Sequence, residues 1–342
     1  MTACADGIPK AYNPLAMLKR VSCVAAAIAA AAIVAAAQSP GGRLLVLNKE
    51  DATFVIVNPD SGAILATVPI GQGPHELVAS TDGKWAFASN YGSGPAPGHT
   101  ISMIDIVAKK ELRRIDTAPL SRPHGLAFAN GKLYFTAEAD KKIARYDPVA
   151  DKVDWTFETD QNATHMVLPT RDLKTIFTSN IASNSVSAIE QGAGGTWTQT
   201  VIAVGQGPEG IDLSPNGREV WSAHSRDGGI SIIDVAAKKV TQTIPLGTKR
   251  SNRVKLTPDG KCALVSDIDT GEVVVVDAAA RKDIKHIPLG KSPEGILIPP
   301  SGGRAFVAVN GDNHVAVVDL KTWMVTKKLQ TGIGPDGMAW VP

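Results

Sequence analysis

Gly207-Pro-Glu-Gly-Ile-Asp-Leu-Ser-Pro-Asn-Gly-Arg-Glu-Val-Trp-Ser-Ala-His224 opens the unit of sequence that decides the fold. Gly210 to Ser214 is a short apolar run, and Pro215 to Arg218 is a turn with Gly217 where a positive φ is needed. Glu219 to Ala223 alternates, His224 to Gly228 turns, Ile230 to Asp234 alternates again, and Val240 to Ile244 closes the unit after a last turn. Four β-type runs joined by tight turns make an antiparallel meander, and no stretch between them has room for a packed helix.

The opening phrase of this unit comes back seven times: Gly73-Pro-His-Glu76, Arg122-Pro-His-Gly125, Ala163-Thr-His-Met166, Gly207-Pro-Glu-Gly210, Ser251-Asn-Arg-Val254, Ser292-Pro-Glu-Gly295 and Gly334-Pro-Asp-Gly337. The copies are 49, 41, 44, 44, 41 and 42 residues apart. A four-stranded meander at that period is the pattern of a β-propeller blade, so the chain is expected to be all-β, a seven-bladed propeller of four-stranded antiparallel blades. Leu44 to Leu47, Thr53 to Val57 and Leu65 to Ile70 supply three strands before the first phrase, and Met338 to Val341 supplies one after the last. Together they complete a seventh blade from both termini, which leaves no open sheet edge between first and last blade.

Residues 1–37 read as a signal peptide. Lys19-Arg20 precedes a mostly Ala stretch from Val21 to Val34, and Ala35-Ala-Ala37 fits a small-residue cleavage site; Met17 is an alternative start. The apolar part is too short for a lasting membrane span. Residues 38–342 are expected to form one exported propeller domain, periplasmic or secreted, and monomeric. The leader takes Cys4 and Cys23 with it, leaving Cys262 alone in a strand with no disulfide partner. The chain carries +2; the leader holds three of its basic residues against one acidic, so the propeller is neutral. That balance argues against nucleic acid as a partner, with polyanion binding through Arg253 and scattered lysines the weakest reading.

The stretches Gly205-Gln-Gly-Pro-Glu-Gly-Ile-Asp-Leu-Ser-Pro-Asn-Gly217, Lys84-Trp-Ala-Phe-Ala-Ser-Asn90, Ile101-Ser-Met-Ile-Asp105 and Val315-Ala-Val-Val-Asp319 resemble the blade pattern of the YVTN (YncE-like) propeller family, and the resemblance runs from Arg43 to Pro342. It implies the seven-bladed fold. For function it implies several things at once, since relatives include envelope proteins without assigned chemistry, and more distant ones look like lactone-forming or lactone-cleaving enzymes and metal-assisted lyases.

In a propeller the innermost strands line the central channel, so the third residues of the seven phrases are expected to ring one mouth: His75, His124, His165, Glu209, Arg253, Glu294 and Asp336, with Glu76 beside His75. Residues at the ends of the second strands, Asn48, Asn90, Glu138, Asn180, His224, Asp267 and Asn310, are expected at the same face. Asn in such positions is commonly a turn cap, which leaves Glu138, His224 and Asp267 as the more informative ligand-binding candidates. Imidazoles from three consecutive blades can converge on a divalent metal of a kind the residues leave open. In that scheme His75, His124 and His165 hold the ion, Glu209, Glu294 or Glu76 moves a proton, and Arg253 anchors a small polar or anionic substrate. The competing reading is that these side chains face a wet channel, in a non-catalytic envelope protein that binds a partner. The Gly/Pro loop Tyr91 to His99 lies at the same face and could cover the mouth. No haem motif, phosphate loop or Gly-x-Ser-x-Gly elbow is present, the once-per-blade motif of quinone-dependent dehydrogenases is missing, and neither haem, NAD nor PQQ is expected.

Overall fold

Every phrase opens the innermost strand of a four-stranded antiparallel sheet, and seven such sheets close into a ring. The structure is a computed structural model that describes residues 41–342; the expected leader lies outside them. Numbered by their innermost strands, blade 1 starts with Pro74–Ala79, blade 2 with Pro123–Ala129, blade 3 with Thr164–Pro169, blade 4 with Pro208–Leu213, blade 5 with Ser251–Leu256, blade 6 with Pro293–Leu297 and blade 7 with Pro335–Val341. Blade 7 takes its other three strands from the beginning of the described chain, Arg43–Asn48, Thr53–Val57 and Ile64–Pro69. Leu45 pairs with Ala339 and Arg43 with Val341, so the two ends of the domain are joined by a sheet ladder. Among the described residues no helix is long and apolar enough to cross a membrane.

The core lies between blades. Leu45, Phe54 and Ile56 of blade 7 pack on Ala86, Ala88 and Ile104 of blade 1, and Trp221 and Ile232 of blade 4 pack on Val254, Val265 and Val274 of blade 5. The second and third strands of each blade are therefore buried on both faces and read as apolar runs, such as Val273 to Val276. The outermost strands alternate with one face in solvent, as Lys152–Glu158 does. Cys262 is partly buried and free, on the second strand of blade 5.

A bulge interrupts each innermost strand just after its first pair. Pro74 pairs with Asn90 and Leu77 with Ala88; Thr164 with Asn180 and Val167 with Thr178; Ser251 with Asp267 and Val254 with Val265. The two residues in between leave the ladder, so the third and fourth residues of the phrase are re-aimed into the channel. The residue before the first pair has a left-handed backbone in six blades, at Gly73, Arg122, Ala163, Gly207, Ser292 and Gly334. That is why glycine recurs there.

This register shifts the frame in blade 5. Ser251 is the counterpart of Pro74, and the carbonyl of Arg250 accepts the N–H of Ile268 as that of Gly73 accepts the N–H of Tyr91. Asn252 therefore holds the third position and Arg253 the fourth, one level deeper and equivalent to Glu76. This copy carries neither the Gly nor the Pro that marks the frame in five of the six others.

Three junctions, between blades 2 and 3, 3 and 4, and 5 and 6, are clasped by a hydroxyl on the second strand. Thr136 Oγ1 accepts the N–H of Gly125 at 2.9 Å and donates to the carbonyl of His165, in the next blade, at 2.7 Å. Ser179 does the same between Met166 and Glu209, and Ser266 between Arg253 and Glu294. The clasp ties ring positions to one another through the backbone. Thr136→Val keeps the shape but leaves a buried N–H and a buried carbonyl unpaired, and should destabilise the domain by roughly 1–3 kcal/mol. Urea unfolding of the variant beside wild type measures this, and an unchanged midpoint would show that the clasp carries no weight.

Candidate functional site

The mouth pocket has a volume of about 180 Å³ and is walled by His75, His124, His165, Glu209, Asn252, Glu294 and Asp336, the third-position ring, with Arg253 below. Lys49, Tyr91, Glu138 and Ile268 form its rim. These rim residues hold one equivalent position, immediately past the second-strand residue that pairs with the phrase: Tyr91 follows Asn90, Glu138 follows Ala137, Ile268 follows Asp267 and Lys49 follows Asn48.

This sorts the expected second ring. Glu138 and Asn310 are rim residues by register, since Ala137 and Val309 make the pairs with Pro123 and Pro293. Asn48, Asn90, Asn180, His224 and Asp267 lie one step back, buried inside the blades. Asn90 Nδ2 donates to Thr100 and Ser102, Asn180 Nδ2 to Ser185 and Ser187, and Asn48 Nδ2 to Thr53 and the Thr331 carbonyl. Asp267 accepts the N–H groups of Lys249 and Arg250, and His224 contacts Asp227 at 3.2 Å. Asn310 donates to the carbonyl of Pro335. His99 is exposed against Asp116, while Tyr91 is part of the mouth itself.

The three histidines lie side by side in one quadrant, His124 and His165 tilted against each other and His75 edge-on to His124. Ring centroids are 3.7 Å apart for His124 and His165 and 5.1 Å for His75 and His124, with the Tyr91 ring 4.8 Å from His75. His75 Nδ1–H donates to the carbonyl of Gly73 at 3.1 Å, which leaves its Nε2 lone pair free. His165 Nδ1–H donates to Glu138 Oε2 at 2.7 Å, and the Tyr91 hydroxyl donates to Glu138 Oε1 at 2.8 Å. Both oxygens of Glu138 are thus engaged, and His165 Nε2 remains buried without a partner, as does His124 Nδ1. Burial pushes His75 down to about 4, and burial with the neighbouring imidazoles pushes His124 well below the ordinary histidine range. Glu138 sits below the usual carboxylate range; burial alone would raise it, but the hydrogen bonds from His165 and Tyr91 win. Tyr91 is pushed up to about 12 by burial and by Glu138.

The opposite wall is charged. Lys49 Nζ lies 3.8 Å from Glu294 and 3.6 Å from Asp336. Burial and the nearby Asp336 push Glu294 up to about 8, against the pull of Lys49 and Arg253. Arg253 is hydrogen-bonded to Glu76 across the channel, from blade 5 to blade 1, and lies 3.9 Å from Glu209. Burial works against its charge, but Glu76, Asp336 and Glu209 together hold it protonated. The expected substrate anchor is therefore already an internal counter-ion. Asn252, in its place on the ring, donates to Glu209. Lys49 and Asn252 are site residues that the reading by phrases does not single out, and Tyr91 enters it only through the Gly/Pro loop; Lys49 and Tyr91 share the place one residue past the second-strand residue that pairs with the phrase.

An ion can be held only by part of this set. His124, Glu138 and His165 bring ligand-type atoms within 4.8 Å of one another. Ligands ~2.0–2.1 Å from one zinc cannot be more than about 4.2 Å apart, so this cluster must close by several tenths of an ångström to bind. His75 is not part of this cluster, and both oxygens of Glu138 are already engaged by His165 and Tyr91.

No family profile and no curated protein matches the chain. Solved structures do. The chain is 17% identical to hydrazine synthase of Kuenenia stuttgartiensis, covering 82% of this chain and 93% of that one, with a TM-score of 0.72. It is 15% identical to a candidate 6-phosphogluconolactonase from Bacteroides uniformis (89% and 100% covered, TM-score 0.74) and 16% identical to one from Bacteroides fragilis (90% and 99%, TM-score 0.75). The likeness is one of fold.

The raised Glu294 carries a sign. Its folded value near 8 lies above that of a free glutamate, so its contribution to stability is fully present below about pH 4.5 and is lost as pH rises through 8. Glu294→Gln should melt higher than wild type at pH 9, with the difference vanishing near pH 4. Melting temperatures across that range test it; a constant offset would place the ionisation elsewhere.

Proposed function

We propose that the channel mouth is a divalent-metal site used to bind and polarise a small oxygen-rich molecule, as a metal-assisted hydrolase or lyase of the lactonase-like kind. The observation that supports this most is the set of imidazoles on blades 1 to 3 at the mouth, with His124 Nδ1 and His165 Nε2 buried and unpartnered. A buried polar atom without a partner is costly, and a cation satisfies it. When bound, a divalent ion supplies Lewis acidity toward a carbonyl or lactone oxygen. The chain does the rest. Glu138, braced by Tyr91, orients His165; Glu294, ionising near neutral pH, is fitted to take or give a proton; Lys49 stands beside it to face developing negative charge. The small volume limits the reacting group to a few heavy atoms.

The charge balance bears on the ligand. Arg253 is shared between Glu76 and Glu209, so the mouth carboxylates Glu138, Glu209, Glu294 and Asp336 outnumber the cations Lys49, Arg250 and Arg253. An anion enters such a mouth only with a cation already in place. Membership of the YVTN family and the alternative role as a non-catalytic envelope protein rest on the sequence resemblance, and export rests on the reading of residues 1–37 as a leader.

Elemental analysis after reconstitution with zinc, manganese and iron in turn, followed by desalting, tests the reading. One of these metals should be retained stoichiometrically by wild type and fall at least tenfold in His124→Ala, with Glu138→Gln intermediate. Equal, trace metal in all three proteins would sink it.

A further inference from the structure

Below the mouth the channel widens again. A second chamber of about 360 Å³ is lined by Val78, Leu126, Phe128, Met166, Leu168 and Leu297. Glu76, Arg253 and Asp336 form its roof and are the elements closest to the mouth, Arg253 and Asp336 lining both spaces. The chamber falls in the ~300–1,000 Å³ range of small-molecule sites, whereas the mouth pocket does not reach it. Its wall is mostly apolar, which is a poor lining for a water-filled channel.

One cation is set into that wall. Lys255 Nζ donates to Asp212 Oδ1 at 2.9 Å, and Asp212 Oδ2 accepts the N–H of Leu256 at 2.8 Å. Asp212 is buried and both its oxygens are used. Lys255 is different. An ammonium has three donors, and among the described residues Asp212 takes the only one engaged. Its side chain is 39% accessible although it lies on an innermost strand, surrounded by the ring, so that accessibility is to the chamber. The neighbouring Asp212 carboxylate raises its pKa above the usual lysine value, against the effect of burial.

We propose that this lower chamber binds a medium-chain monocarboxylate, its head group on the free donors of Lys255 and its hydrocarbon chain along Val78, Phe128, Met166, Leu168 and Leu297. The occupant is chosen by complementarity: an apolar wall of ligand size, and one anchored cation with unused N–H groups. A carboxylate with a medium-length chain satisfies both; a sugar satisfies only the second, an alkane only the first. The site is separate from the metal reading, since its residues lie on the far side of the Arg253–Glu76 pair.

Isothermal titration with decanoate, decanol and acetate tests it on the full-length domain. Decanoate should bind, decanol at least tenfold more weakly, and acetate not measurably. Lys255→Met should weaken decanoate at least tenfold and leave decanol unchanged, Lys255→Arg should restore most of the loss, and Leu168→Trp, which fills the chamber, should abolish both. His124→Ala should bind decanoate as wild type does, so that loss of the metal site and loss of this one are told apart. Circular dichroism confirms that each variant is folded. No binding of decanoate to wild type, equal binding of decanoate and decanol, or binding indifferent to Leu168→Trp each overturns the proposal.

Discussion

The innermost strands approach each other so closely that most of them have no room for a side chain at the fourth position of the phrase. A Cβ on Gly125 would stand 2.6 Å from the carbonyl oxygen of His165, one on Gly210 2.6 Å from that of Asn252, and on Gly295 and Gly337 2.3 Å from those of Asp336 and His75. Each glycine meets the third residue of the next blade. Backbone contact at that level fixes the radius of the ring, and with it the distance between neighbouring third-position side chains. Two aromatic rings 3.7 Å apart, as in His124 and His165, are a consequence of that spacing. So is the charge crowding on the other side, where Glu294 and Asp336 share Lys49.

Three blades break the glycine pattern at this level, with Glu76, Met166 and Arg253. Those side chains go to the axis because the backbone leaves them nowhere else. Glu76 and Arg253 meet there and divide the channel into an upper, polar space and a lower, apolar one. Burying such a pair is not in itself a stability device; desolvation offsets most of the attraction, and losing either partner strands a charge. Its structural effect is a partition, and it draws the charge of Arg253 away from the mouth.

The fold was legible because its marks are backbone marks. Gly-Pro before a strand and Asn-Gly or Asp-Gly after it report left-handed and turn conformations, which are local and repeat with the blade. Seven copies, their spacing and the shared seventh blade followed from them. The site was legible only to the resolution of that frame. In blade 5 the marks vanish and the frame slips by one, so Arg253 reads as a ring residue when its pairing puts it a level below. On the second strands, Glu138 and Asn310 align by eye with Asn90 and Asn180, although the bulge pairs their predecessors with the phrase. A bulge is set by hydrogen-bond pairing between strands and has no fixed residue of its own, so composition does not reveal it.

The same register explains which polar residues are structural. A side chain at the paired position turns back between strands, where Asn48, Asn90 and Asn180 each bridge hydroxyl or backbone groups within the sheet and its neighbouring turn. A side chain one residue later leaves the ladder and reaches the rim. The difference of one position thus separates a cap from a candidate functional group, and it does so for chemically similar residues. Glu138 illustrates the outcome: on the rim it accepts hydrogen bonds from Tyr91 and from Nδ1–H of His165, whereas Asp267, at the paired position, turns inward onto the N–H groups of Lys249 and Arg250.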